Sequence, residues 1–172
     1  MITLREYCGQ DFDELWRIDQ ECFQQGIAYS RRELAWYMKR SRAFTLVAED
    51  VAEVAEEKSR SNIAGFVVAE SDPSGVGHIL TIDVRPAAQR KHAGSLLLEG
   101  AESGLLQKNC KAILLETAVD NTAALSFYKH HGYAVIETIP RYYLDSVDAL
   151  VMGKRLDVQA PAKVNKSKAK KT

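Results

Sequence analysis

Apolar residues fall in two rhythms along the chain, and each rhythm predicts an element. Phe12, Leu15, Trp16, Ile18 and Cys22 recur at helical spacing. They follow Asp11 and Glu14, set three apart as in a capping box, so a first helix is expected to start there. Gly26 ends it or begins the loop after it. Ser30 and Glu33 form a clearer capping box for a second helix, with Leu34, Tyr37 and Met38 on one side. Residues 2–5, 44–48 and 63–69 are β-rich, the last of them close to a continuous apolar strand. DPSGVG after Ser71 is a strong turn signal, so residues 63–71 and 78–84 should form an antiparallel hairpin. The charged, Ala-rich stretch DVAEVAEEKSRSN between the second and third strands reads as a hairpin insertion that decorates the surface.

The second half changes register. The strand at 78–84 runs into Pro86, a helix is expected over 94–108, and AILLET at 112–117 is again a strand. Strand, helix and strand in that order make a βαβ crossover with one parallel pairing. Asn121 or Thr122 caps a short helix that carries Leu125 and Tyr128 and stops at Gly132. Residues 133–140 and 149–154 supply two last strands, joined by RYYLDSVD. The order β-α-α-β-β-β-α-β-α-β-β describes an α/β (α+β) domain. It implies a mixed, mostly antiparallel sheet of about six or seven strands with helices on both faces. This domain should span residues 1–156, leaving a Lys-rich tail, 157–172, that is expected to be disordered.

Composition narrows the class without changing the elements. A chain of 172 residues holds one domain with a real core, and 46% apolar with 27% charged residues is the balance of a soluble globular protein. No apolar run approaches the ~20 residues of a membrane helix, and the polar, acidic start MITLREYCGQDF is unlike a secretory signal. A cytoplasmic location is the expectation. Net charge is zero, yet the tail carries five Lys against one Asp, so the body before it is acidic by four. That argues against a broad nucleic-acid surface; only the tail offers a basic segment. Cys8, Cys22 and Cys110 form no CxxC pair, and His78, His92, His130 and His131 have no ligand spacing, so neither disulfides nor a metal site is expected.

The chemistry concentrates in residues 81–98, TIDVRPAAQRKHAGSLLL. A strand, a Pro-containing turn, a basic loop and a helix opening at Gly94 bring backbone N–H groups and a positive helix end to one spot. The N–H groups from Arg90 to Ser95, with the charges of Arg90 and Lys91, suit a diphosphate; the plain alternative is a solvated basic turn.

Three segments together resemble the GNAT superfamily of N-acetyltransferases. Gln89-Arg90-Lys91-His92-Ala93-Gly94 is similar to its acetyl-CoA motif Q/R-x-x-G-x-G/A, with His92 where the family usually has its first Gly. LETAVDNTAALSFYKHHGY (115–133) is similar to its acidic strand end followed by Asn, Tyr and a Gly-aromatic pair, and RYYLDSVDALVM (141–152) to a paired-Tyr segment. Within the superfamily the chain looks most like the ribosomal-protein-alanine and related protein N-terminal acetyltransferases.

The resemblance implies acetyl-CoA as cosubstrate and a protein or peptide N-terminus, that of a ribosomal protein included, as acceptor, with direct attack in a ternary complex. It puts the pantetheine arm along Ile82, Asp83 and Val84. Strand alternation turns Asp83 to the face opposite Ile82 and Val84, toward substrate or solvent. Gln89, Arg90, Lys91, His92, Ala93, Gly94 and Ser95 would cradle the pyrophosphate, and Asn121 would hydrogen-bond the arm or serve as a plain N-cap. Glu116 is implied as the base that takes the amine's proton through water. By spacing alone, an ion pair of Glu116 with Lys111 or Lys129 fits equally well, and Glu21 and His78 are rival bases. Tyr128 is implied as the acid for the departing thiolate, where position alone would make it core. Tyr142 and Tyr143 are assigned to a wall over the amine, facing Ile27 and Tyr29, the alternatives being a strand-pairing aromatic pair and core packing of the loop. That loop, FQQGIAYS, lacks the Pro and Trp common in protein N-terminal acetyltransferases. Two other functions stay open: transfer to a small amine, a Lys side chain or an aminoacyl group, and a non-catalytic domain that binds CoA or a partner.

Overall fold

A computed structural model describes residues 1–51 and 62–156. Its elements follow the expected order: β1 (Ile2–Glu6), α1 (Phe12–Cys22), α2 (Arg31–Met38), β2 (Ala43–Asp50), β3 (Ile63–Ser71) and β4 (Val76–Val84), then α3 (Ala93–Gln107), β5 (Ala112–Ala118), α4 (Thr122–His130), β6 (Ala134–Tyr143) and β7 (Val147–Arg155). Single 3-10 turns stand at Gly9–Asp11 and Pro86–Ala88. Of the expected surface insertion, Asp50 ends β2 and residues 52–61 lie outside the described residues, as does the Lys-rich tail.

One seven-stranded sheet, ordered β1-β2-β3-β4-β5-β7-β6, carries the helices on both faces. All neighbours are antiparallel except β4 and β5. The nearly continuous apolar run of β3 is explained by burial on both sides. Val67 and Ala69 pack with Leu97, Leu98, Ala101 and Leu105 of α3, while Phe66 and Val68 pack with Leu15, Ile18 and Leu34 of α1 and α2. Each fully buried Val, Leu, Ile or Phe among them contributes roughly 1.5–3 kcal/mol of transfer free energy.

Local capping decides where the helices start. Ser30 accepts the Glu33 N–H, and the Glu33 carboxylate accepts the Ser30 N–H at 2.9 Å, the capping box expected for α2. Asn121 accepts the Ala124 N–H at 3.1 Å and opens α4. Asp11 behaves differently from the expectation. It is already helical in φ/ψ, and its carboxylate accepts the Cys8 N–H at 2.9 Å and pairs with Arg5 at 2.7 Å. A charged partner on β1 outcompetes the helix N–H groups, and the Asp11 carboxyl is held down at about 2, Arg5 being the main cause. RYYLDSVD is also mostly strand: Tyr142 and Tyr143 finish β6, and Val147 begins β7.

Two irregularities of β4 shape the site. Ala69 pairs with Ile79 but Val68 pairs with Thr81, so Leu80 is an extra, bulged residue. The bulge reverses the side-chain alternation: Ile79 and Ile82 pack on the α3 side, Leu80 on the α1 side. Asp83, in register with Phe66, therefore faces α1. Second, β4 and β5 pair only from Val76–Ala112 to His78–Leu114 and then part company, which opens a gap between their C-terminal halves.

Candidate active site

The cofactor end is built by the loop from β4 to α3. Arg90 and His92 both adopt left-handed backbone, φ +62° and +64°, and His92 is the N-cap of α3. This conformation explains why a Gly suits the position of His92, and why His, more tolerant of it than branched residues, can stand there. The first turn of α3 then presents the Ala93, Gly94 and Ser95 N–H groups, which have no intrahelical acceptors. Beside them lies a cavity of about 530 Å³, lined among others by Ile82, Asp83, Val84, Gln89, Arg90, His92, Gly94, Ser95, Asn121 and Tyr128. At Gly94 a Cβ would stand 3.4 Å from the Phe127 ring and 3.7 Å from Val84, so the missing side chain keeps the groove open at the helix end. Backbone donors, a cationic Arg90 and a groove running along β4 fit a diphosphate with an extended amide-bearing arm.

Of the eleven residues expected at the cofactor, nine line the cavity; Lys91 and Ala93 do not. The Lys91 ammonium lies 3.7 Å from Asp50, and Ala93, the first residue of α3, turns its side chain into the core. Cys22, Phe23, Ala123, Ala124 and Phe127 also line the cavity and were not anticipated. Phe23 opens the loop FQQGIAYS singled out as a substrate wall, and Cys22 is the last residue of α1 directly before it, so both could have been suspected. Replacing His92 by Gly should relieve the left-handed strain, raising stability by about 0.5–1 kcal/mol and tightening acetyl-CoA. Thermal melts with and without acetyl-CoA check this; a lower melting temperature for the variant would contradict it.

The reacting end lies where β4 and β5 diverge. His78 Nε2 and Glu116 Oε2 meet at 2.6 Å across the gap, so the expected base and one of its rivals form a pair. The partner is His78 rather than Lys111 or Lys129. Tyr128, buried on α4, lines the cavity, and burial, then Asp83 and Tyr143, keep its phenol protonated well past its ordinary range. Tyr143 is pushed up to about 12 by burial and then by Tyr142 and Glu116. The Cys22 thiol donates to the Val84 carbonyl at 3.4 Å, and burial pushes it up to about 12, so it carries no thiolate for nucleophilic work near neutral pH.

The loop between α1 and α2 closes the other side. Tyr29 donates its hydroxyl to the bulged Leu80 carbonyl at 3.3 Å, and its N–H to Asp19 at 2.8 Å. Its own carbonyl accepts from Trp16 at 3.1 Å and Gln20 at 2.8 Å. Burial pushes the Asp19 carboxyl up to about 6 against the pull of the Tyr29 and Gln20 hydrogen bonds. Tyr29 and Tyr37 rings stand 5.2 Å apart, Tyr142 and Tyr143 rings 4.9 Å apart. The two pairs are close enough that Tyr142 opposes ionisation of Tyr29 and Tyr37 opposes that of Tyr142. Ile27 sits half-buried in the same loop, and a Cβ on Gly26 would meet Leu144 at 2.6 Å, so the loop and the β6–β7 turn touch. Tyr37 belongs to this wall although its helical spacing marked it only as part of an apolar face.

Among the described residues no three His, Cys, Asp or Glu are grouped to hold a metal ion, and no helix is long and apolar enough to cross a membrane.

Comparison with known proteins shows the family and the fold. Residues 12–133 match the model of the acetyltransferase (GNAT) family. An uncharacterized N-acetyltransferase of Methanocaldococcus jannaschii is 29% identical over 155 residues, covering 90% of this chain and 92% of the relative. N-alpha-acetyltransferase 30 of Schizosaccharomyces pombe is 24% identical over 153 residues, covering 87% and 95%. Among solved structures, the NatC complex bound to Gag peptide and CoA superimposes with a TM-score of 0.75 at 22% identity, covering 91% of this chain and 99% of the other. The chain belongs to the GNAT family and is an acetyl-CoA-dependent N-acetyltransferase.

Proposed function

We propose that this enzyme acetylates the α-amino group at the N-terminus of a protein, with residues 1–156 as its catalytic domain. The observation that carries the proposal is the open, tyrosine-lined face around the His78–Glu116 pair. Tyr29, Tyr37, Tyr142 and Tyr143 gather there, and Tyr142 is 51% exposed. A rim of phenols rather than a sealed pocket suits the first peptide units of an extended chain, whose N–H and C=O groups the hydroxyls can bond. Two similarities support it: a full-length relative named as an N-alpha-acetyltransferase, and a structural neighbour that holds a peptide together with CoA. We further place the enzyme in the cytoplasm, with ribosomal proteins among the acceptors to be tested.

Acetyl-CoA supplies an activated acetyl thioester; the chain supplies position and proton handling. The α3 N-terminus and Arg90 hold the diphosphate, and the edge of β4 at Ile82 to Val84 aligns the arm, with Asn121 able to bond it while capping α4. Glu116 takes the ammonium proton through a water, and its hydrogen bond to His78 fixes the carboxylate's direction. The amine then attacks directly, so no enzyme-bound acetyl is needed. Tyr128, kept protonated by burial, returns a proton to the departing thiolate. Because a thiolate already leaves fairly well, Tyr128→Phe should lower kcat only about 10- to 100-fold while acetyl-CoA still binds. Steady-state rates alongside a cofactor thermal shift check that separation; loss of both would assign Tyr128 to structure instead.

An acceptor panel tests the whole proposal. Peptides with free N-termini should gain one acetyl group, while polyamines and amino sugars should not. Preference for the small amines would overturn it.

A further inference from the structure

One carboxyl group in the cavity is left half satisfied by the fold. Asp83 is 1% exposed and lines the cavity. Its Oδ1 accepts from the Thr81 hydroxyl at 2.8 Å, while Oδ2 has no hydrogen-bond partner. The bulge at Leu80 sets it on the α1 side of the sheet. The titratable groups that face it are Asp19 and Cys22 of α1, Tyr29 of the following loop and Tyr128 of α4. None of these is a cation, and α1 ends there at Cys22 with its carbonyls adding negative potential. Burial first, and then Asp19, push the Asp83 carboxyl well above the carboxylate range.

A buried acid beside another acid weakens the folded state, and a cationic partner supplied from outside would offset that cost. The cavity itself indicates which kind. Its far end, with Arg90, His92 and the α3 N-terminus, suits an anion. Its near end, with Asp83 and the last residue of α1, Cys22, in the lining and the buried Asp19 close enough to act on Asp83, suits a cation. Asp83 is also close enough to Tyr128 to oppose its ionisation, so a cation docked there stands beside the group placed at the leaving sulfur.

We propose that Asp83 is the docking group for the acceptor, its free carboxylate oxygen receiving the ammonium of the incoming primary amine. This rests on the acetyl-transfer chemistry above and changes one expectation: the backbone of β4 serves the cofactor arm, whereas the Asp83 side chain serves the acceptor. The incoming charge offsets the desolvation that disfavours the ionised carboxyl, and the proton to be removed still goes to Glu116.

Asp83→Asn keeps an acceptor for Thr81 and removes the charge; Asp83→Ala removes both. Kinetics are read with peptide N-termini and with small primary amines, and melts are read without substrate. Both variants should raise the acceptor KM about 10- to 100-fold and leave the acetyl-CoA KM within about twofold. Asp83→Asn should melt at or above the wild-type temperature, by as much as about 3–6 °C, because a structural liability has gone. An unchanged acceptor KM, or a lower melting temperature with both KM values degraded together, would overturn the assignment. If wild type acetylates only small amines, the protein-acceptor proposal fails and the same KM split still judges Asp83. If it acetylates neither, the melt alone decides, a destabilised Asp83→Asn counting against the proposal.

Discussion

Glu116→Gln is expected to lower kcat by about 10²–10³ while leaving the acetyl-CoA KM unchanged. Gln preserves the size of the side chain and still offers an oxygen to His78, 2.6 Å away in wild type, so the packing where β4 and β5 part should survive. What it cannot do is accept the ammonium proton. The variant must then wait for amine that has already lost its proton in solution. Its rate should therefore climb with pH, with unit logarithmic slope, up to the ordinary α-amino value of about 8. A pH–rate series on one peptide measures both effects. An undiminished rate with an unaltered profile would remove Glu116 from the proton path.

Gly94→Val should fail at the other end of the cavity. The Cβ alone would stand 3.4 Å from the Phe127 ring and 3.7 Å from Val84, and the two γ-carbons have to enter the groove beside the first N–H groups of α3. Keeping a diphosphate away from those donors forfeits charge-assisted hydrogen bonds of about 1.5–3 kcal/mol each. The acetyl-CoA KM should rise roughly 30- to 100-fold, and the melting shift produced by acetyl-CoA should shrink accordingly by mass action. The acceptor KM should change little. A full cofactor-induced shift in Gly94→Val would mean that the diphosphate does not sit at this helix end.

Much of this was legible in the sequence where the physics is local. The Ser30–Glu33 box, the Asn121 cap and the stop at Gly132 each depend on residues within four positions, and each forms as read. Asp11 was misread because its stronger partner, Arg5, acts from another strand. The same limit applied to the site. Glu116 and Tyr128 could be named from their segments, but the His78–Glu116 pair spans 38 positions and exists only because β4 and β5 run parallel up to His78. Simple alternation set Asp83 opposite Ile82, correctly, yet left open whether it met water. The bulge at Leu80 and the register with Phe66, which bury it against α1, have no sequence signal that one chain can show. Lys91 had the right charge in the right loop, and the fold turned it to Asp50.

The central claim is that the acceptor is an N-terminal α-amine, and one peptide can test it. A peptide with a free N-terminus and an internal Lys is incubated with the enzyme and acetyl-CoA, and fragment masses locate the acetyl group. Acetylation of the α-amino group with an unmodified Lys side chain is the predicted result. An acetyl group found on the Lys side chain, with the N-terminus left free, would contradict it.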